Sequence, residues 1–598
     1  MKKFYIIFLL LVLLLPCVLA KQGHIKLLAV KDSPVGYIGS KADLYLEIRQ
    51  GNGRVFLDTY PLTKLDTQIS TRFAKEISCK YIDFDCDKYD FFYTIKAEAP
   101  IIGGPSAGAA IAILTISVLK GFDIDENASI SGTINSGGLI GPVGSLKEKI
   151  DAASKYGVNK VLIPKGERFV PLENISDIFE KLTRNVTNET LDLVEYGKKR
   201  GVEIIEVIDL GEAVYEFSGE KIKEVDGELF VTEEYIETMG FLGNKLCERS
   251  DELKKILSKY EVPDDLLGIK EEAYNLTDKG KDSIVEERYY SAASYCFGAN
   301  VKLHQLILLV QNISKDKTLE KIKKTKEDVN NFSNMISKKE IKTITDLEAY
   351  AVVKERLIEA MDYLGRAEVM NDSDALNNLA YGIERLYSAY SWSYFFGKPG
   401  KQFSLDKESV KESCIEKLAE AEERYQYFTL FFPATIIDRN ELELAYSDLE
   451  NEDYKLCLFK ASKAKASIDV VLSLMGAKDE QVEDILEQKI AIVRKNLIKE
   501  VNKGIFPIIG YSYYEYANSL KEEDVYAALL YSEYALELSN LDMYFKRETS
   551  NIEFKQDFNV YFGVIFIFIG GIVIGFLVGT LYKRRKILKK RKRSKKRK

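Results

Sequence analysis

Histidine is almost absent from this chain. Only His24 and His304 occur among 598 residues. One lies just after the N-terminal apolar run and the other in a helical stretch far downstream, so a Ser-His-Asp triad is not expected. No group of Cys and His has metal-ligand spacing, and neither a metal nor another cofactor is implied. No Gly-x-x-x-x-Gly-Lys-Ser/Thr occurs, so the chain carries no signature of an ATP-binding loop. An excess of positive charge is lacking too, since the net charge is −7. Setting aside the C-terminal basic tail with Lys2 and Lys3 leaves about −22 over the body. Such a body does not favour nucleic acid. Tryptophan occurs once, at Trp392, and proline only twelve times.

The chain is too long for one core, so several domains are expected. Residues 1–20 read as a secretory signal peptide: Met1-Lys2-Lys3, an apolar run from Phe4 to Leu15, and Ala20 at the cleavage point. An uncleaved anchor is the competing reading. Residues 560–582 form a charge-free apolar run, read as one transmembrane helix. Residues 583–598 follow as a tail with thirteen Lys or Arg in sixteen positions. The positive-inside rule places that tail in the cytoplasm and the body outside the cell. The expectation is thus a single-pass protein of the cell membrane. Six cysteines remain beyond the leader, an even count with fifteen connectivities. Proximity suggests Cys79 with Cys86, and free buried thiols are the alternative.

Chemistry concentrates in Gly103-Gly104-Pro105-Ser106-Ala107-Gly108. Pro105 suits the first turn of a helix, so Ser106 falls at a helix N-terminus. There the dipole favours a developing oxyanion. A serine hydroxyl needs a base, and with histidine scarce a lysine becomes the candidate. Lys147 and Lys149 follow about forty residues later, some 200° apart around one helix, so they face different ways.

Taken together, Gly104-Pro105-Ser106-Ala107-Gly108, Ser131-Gly132-Thr133, Gly137-Gly138, Gly141 to Lys149 and Val161-Leu162-Ile163-Pro164 resemble the proteolytic domain of Lon proteases. The resemblance covers roughly Gly23 to Gly219. It implies a Ser-Lys dyad of Ser106 as nucleophile and Lys149 as base, 43 residues apart. It selects Lys149 over Lys147 and leaves Gly104, Ala107 and Ser131 as supporting or oxyanion residues. A neutral Lys149, poorly solvated and hydrogen-bonded to Ser106, is the expectation. The chain departs from the family in having Gly103 where an acidic residue is common, and Ser131-Gly132-Thr133 where Thr-Gly-Glu is common. With no ATP-binding loop, the nearest likeness is to archaeal, membrane-anchored, Lon-like proteases lacking the ATPase module. A homo-oligomeric ring is the analogy with Lon, and Gly571-x-x-x-Gly575-x-x-x-Gly579 offers a second route to self-association.

Local patterns predict an α+β domain over 21–220. Strands are expected at His24–Val30, Ala42–Gln50, Arg54–Tyr60, Asp90–Ala97, Ala128–Ile134, Val158–Pro164 and Ile204–Ile208. Gly51-Asn52-Gly53 predicts a hairpin joining the second and third. Helices are expected at Leu65–Tyr81, Lys147–Tyr156 and Leu210–Phe217. Residues 226–556 read as all-α, either a tetratricopeptide-like array or an irregular bundle. The predicted function is an ATP-independent, extracytoplasmic serine endopeptidase acting on unfolded or extended polypeptide. The rival is a cell-surface helical scaffold whose first domain is structural or cleaves only itself.

Overall fold

The structure is a computed structural model that describes residues 21–34, 36–171, 190–223, 227–370, 372–474, 477, 479–545 and 557–594. The signal peptide expected at 1–20 lies outside the described residues. The chain forms two units, 1–546 and 547–598.

The first unit begins with β1 (Lys21–Ser33), β2 (Gly36–Gln50), β3 (Val55–Thr63), helix α1 (Leu65–Tyr81) and β4 (Tyr89–Ile102). The sheet order is β1-β2-β4-β3, with β3 parallel to β4. The predicted hairpin is therefore corrected, because β4 inserts between β2 and β3. The cause is Asp90, which gathers the turn around itself. Its carboxylate accepts from the Asn52 and Arg54 N–H groups and from the Arg54 guanidinium, while Gly51 and Gly53 donate to Lys88 O and Tyr89 O. A Cβ at Gly51 would sit 2.1 Å from Asp90 Cγ, so glycine is required there.

Next come α2 (Gly108–Lys120), β5 (Ala128–Ile130), β6 (Thr133–Ile134), β7 (Ile140–Gly141), α3 (Leu146–Lys155), β8 (Lys160–Pro164), β9 (Phe169–Pro171), β10 (Thr190–Asp192), α4 (Leu193–Lys198), β11 (Glu203–Val207) and α5 (Leu210–Ser218). α2 is apolar all round and buried from Gly108 to Leu119, as a helix in the centre of a core must be. Strands β11-β8-β5 form a parallel sheet. The strand predicted over Ala128–Ile134 breaks at Ser131-Gly132 into β5 and β6.

From Glu233 onward the described elements of this unit are helical: α6 (Glu233–Leu257), α7 (Leu267–Val285), α8 (Tyr289–Val310), α9 (Lys315–Ile336), α10 (Ile344–Val369), α11 (Asp372–Trp392), α12 (Lys407–Phe428), α13 (Asn440–Glu450), α14 (Tyr454–Ser473), α15 (Asp479–Asn502), α16 (Ile508–Leu520) and α17 (Val525–Leu538), with short 3-10 turns between some of them. α16 and α17 pair as a hairpin, but α8 also packs on α16 and α10 on α14. Contacts between elements so distant in sequence make this an irregular bundle rather than a nearest-neighbour solenoid. Trp392 and many tyrosines are packing residues, with Tyr290 edge-on to Trp392, Tyr513 and Tyr516. Disulfides join Cys79–Cys86, as proximity suggested, and Cys247–Cys296 and Cys414–Cys457, which the sequence left open.

The second unit contains the helix α18 (Asp557–Ser594). Among the described residues no helix is long and apolar enough to cross a membrane, which corrects the transmembrane helix expected at 560–582. The single-pass localisation, with the body outside and the tail at 583–598 inside, loses its support with it.

Candidate active site

Chain geometry places Ser106 at a sharp turn between sheet and helix. β4 ends at Ile102, Gly104 takes φ +97°, and Pro105–Ala107 make one 3-10 turn before α2 begins at Gly108. A residue with a Cβ would be strained at that φ. The turn is fastened by Asp66, in the first turn of α1, whose carboxylate accepts from the Gly104 N–H at 2.9 Å. That N–H is thereby engaged in holding the turn. Ser106 is half-buried, as is Ala107 beside it.

The broken strand runs alongside this turn. The Gly132 N–H donates to Ser106 O at 3.1 Å, and the Ala109 N–H to Gly132 O at 3.1 Å. Ser131, the residue before Gly132, is 1% exposed and is held by its own N–H on Leu162 O. Its side chain meets the lysine, because Lys149 Nζ donates to Ser131 Oγ at 2.9 Å. The hydrogen bond expected from Lys149 to Ser106 is not among those described. The lysine instead reaches the residue next to the one that holds the Ser106 backbone.

Lys149 is 3% exposed, whereas Lys147 is open to solvent, as the 200° between them requires. Burial lowers the Lys149 pKa to about 8, against the opposing pull of Glu167 and Glu148. Sequence reading missed Glu167, which follows β8 and is 5% exposed. Both its oxygens accept from the Val143 N–H, at 3.2 and 3.1 Å. Burial raises its carboxyl to about 8, against the Val143 hydrogen bond and the charge of Lys149. The site therefore holds a lysine and a carboxyl, both moved toward neutrality by the same dry surroundings.

The helical region closes one side. Tyr427 and Arg424 of α12 bond to the segment that precedes α3, at Gly144 and at Ile134 and Asn135 respectively. No local signal in the sequence marks either residue, since each meets its partner more than 280 positions away. The two histidines are elsewhere, His24 on Asp43 and His304 on Glu384. Among the described residues one group of carboxylates has metal-ligand proximity, Asp469, Glu533 and Glu537, all buried. Lys465 and Lys489 already pair with it, so its charge is met by ammonium groups rather than left for an ion.

The site thus gathers a serine on a sharp turn, a glycine that holds its carbonyl, and a buried lysine on the neighbouring Ser131. The comparisons agree on the domain. Residues 80–196 match the Lon protease (S16) C-terminal proteolytic domain. The chain is 33% identical over 146 residues to the Lon protease of Rhizobium meliloti (strain 1021), covering 24% of this chain and 16% of that protein. It is 36% identical over 118 residues to the Lon protease of Paraburkholderia phytofirmans, covering 19% and 14%. Lon protease 2 of Syntrophobacter fumaroxidans is 28% identical over 149 residues, covering 24% and 18%. The chain thus spans less than a fifth of the length of these relatives. It carries a Lon-type proteolytic domain, and its homologues indicate a peptidase.

Proposed function

We propose that this protein is a serine endopeptidase that cleaves unfolded or extended polypeptide without ATP, using Ser106 as nucleophile and Lys149 as base. The observation that carries the reading is the buried Lys149, bonded to Ser131 and lowered to about 8. At pH 7.5 an ordinary lysine is neutral in about one molecule in a thousand, whereas one at about 8 is neutral in roughly a quarter. In that form Nζ takes the Ser106 proton as Oγ attacks the substrate carbonyl. The tetrahedral intermediate collapses, Lys149 returns the proton to the leaving amine, and an ester to Ser106 remains. Water then attacks the ester and gives a proton to Lys149, which passes it to Ser106 Oγ as the acid leaves and the free hydroxyl is restored. Ser131 keeps the base oriented between the two halves of the cycle. ATP independence is supported by what lies against the site, a helical bundle without a phosphate-binding motif. Without an unfoldase the substrate must arrive already extended.

The test follows cleavage of a permanently unfolded protein by the full chain without nucleotide. Ser106→Ala and Lys149→Ala should each lose at least about a hundredfold in rate, while Lys147→Ala stays near the unmodified rate. Cleavage that survives Ser106→Ala overturns the nucleophile. Loss in Lys147→Ala with retention in Lys149→Ala overturns the base. Absence of both cleavage and labelling of Ser106 by a fluorophosphonate would favour a scaffold.

A further inference from the structure

The segment that leads into the Lys149 helix is held at both ends by one helix from outside the proteolytic domain. At its start, Arg424 Nη2 donates to Ile134 O at 2.7 Å and to Asn135 Oδ1 at 2.6 Å. At its end, two residues before α3, the Gly144 N–H donates to Tyr427 Oη at 3.0 Å. Arg424 and Tyr427 are three positions apart on α12, so they lie on the same face and reach the two ends together. Side chains of the bundle also press on the glycines of the segment. A Cβ at Gly137 would lie 2.7 Å from Leu536, and one at Gly144 would lie 2.6 Å from the Phe431 ring.

This is more than surface packing. Arg424 is 3% exposed and its charge is met inside the bundle, by Asp469 at 3.3 Å and Glu423 at 3.7 Å. Two buried carboxylates therefore fix the guanidinium from behind while its front holds the segment. The Tyr427 ring is braced by Phe431, edge-on at 5.0 Å. On the other side the Val143 N–H is taken by Glu167. Two successive N–H groups, of Val143 and Gly144, thus bond to side chains from two different regions. The conformation they hold includes Ser145 in the left-handed region at φ +58°. A non-glycine residue persists there only where its surroundings enforce it. From Ser145 the chain enters α3, and Lys149 emerges one turn later, buried on Ser131.

We propose that Arg424 and Tyr427 are positioning residues of the active site, which hold the segment 135–144 so that Lys149 docks on Ser131. The helical region is then a working half of the peptidase and the proteolytic domain alone is incomplete. This rests on the reading of Ser106 and Lys149 as the dyad.

The test uses the full chain with Tyr427→Phe, which keeps the ring and removes the acceptor, and Arg424→Lys, which keeps the charge and removes the fork. Leu418→Ala, in the core of the same helix six residues before Arg424, is the control for loss of stability. Steady-state cleavage and amide exchange over 136–146 are read together. Both tether variants should lower kcat between about ten- and a hundredfold with KM within about twofold, and should speed exchange in that segment. Leu418→Ala should lower the melting temperature and leave kcat near that of the unmodified chain. Unchanged kcat, unchanged exchange, or a fall in kcat that Leu418→Ala reproduces overturns the positioning role. If the unmodified chain neither cleaves nor is labelled at Ser106, the dyad reading fails, and the positioning role falls with it. A chain that is labelled and cleaves with indifferent tethers sinks the positioning role alone.

Discussion

Lys149 Nζ donates to Ser131 Oγ at 2.9 Å, and Ser131 stands one residue before the glycine whose N–H holds the Ser106 carbonyl. Lys149 and Ser106 are thus registered through the same two residues, at the break between β5 and β6. The break itself follows from Gly132, where a Cβ would lie 2.5 Å from Ile140. Only glycine lets the strand pass close enough for its neighbour to meet the lysine.

Ser131→Ala should leave the fold intact and remove the lysine's described partner. The expected result is a fall in kcat of roughly tenfold or more, with KM little changed. Ser131→Thr keeps the hydroxyl and should retain most of the rate. A rate in Ser131→Ala equal to that of the unmodified chain would show that the hydrogen bond does not orient the base.

The pH profile should report Lys149. Only its neutral form accepts the Ser106 proton, so kcat/KM should rise with pH through about 8 and level off above. Glu167 and Glu148 hold the ammonium form and oppose the effect of burial. Glu167→Gln removes the pull that Glu167 exerts in its ionised form and still offers an oxygen to the Val143 N–H. Its profile should therefore move to lower pH. A shift to higher pH would mean that the carboxyl acts otherwise than by its charge.

Asp66 is the residue through which α1 sets the serine turn. Asp66→Ala frees the Gly104 N–H and should lower kcat several-fold, while Asp66→Asn, which still accepts, should be milder. Equal rates for all three proteins, measured on the same unfolded substrate, would confine Asp66 to a structural part.

Acid stability should depend on Glu537, which is buried between Lys417 and Lys465. Burial raises its pKa, but first Lys417 and then Lys465 outweigh this and hold it at about 2, below its ordinary 4.5. A depressed carboxylate contributes stability that is complete above its unfolded value. That stability is lost as pH falls from about 4.5 toward about 2. Glu537→Gln removes the carboxylate that the two ammonium groups share, leaving Lys417 with Glu420 and Lys465 with Asp469, and should cost up to about 3–5 kcal/mol near neutral pH, read by denaturant unfolding. The variant should also lose much of the acid limb below pH 4.5.

Much of the proteolytic domain was legible because its signals are local. Leu65–Tyr81 follows from the spacing of its apolar residues, and the serine turn from glycine and proline at adjacent positions. The hairpin across Gly51-Asn52-Gly53 was misread for a reason of the opposite kind. The turn residues are right for a hairpin, but Asp90 competes for their N–H groups and draws β4 between the strands. The C-terminal run was read from hydropathy alone, and among the described residues no helix is long and apolar enough to cross a membrane.

The sequence by itself determined that a serine sits at a helix N-terminus, that histidine plays no part beside it, and that Lys147 and Lys149 face opposite ways. These depend on backbone geometry within a few residues, which side-chain identity sets directly. Only the tertiary structure decided which lysine is dry, since burial is a property of everything packed around a group. It also decided that Ser131, Asp66 and Glu167 frame the site, and that Arg424 and Tyr427 reach it from nearly three hundred residues away. Hydrogen bonds over such separations leave no periodicity in a single chain. They exist only once the helical bundle has closed on the segment that leads into the Lys149 helix.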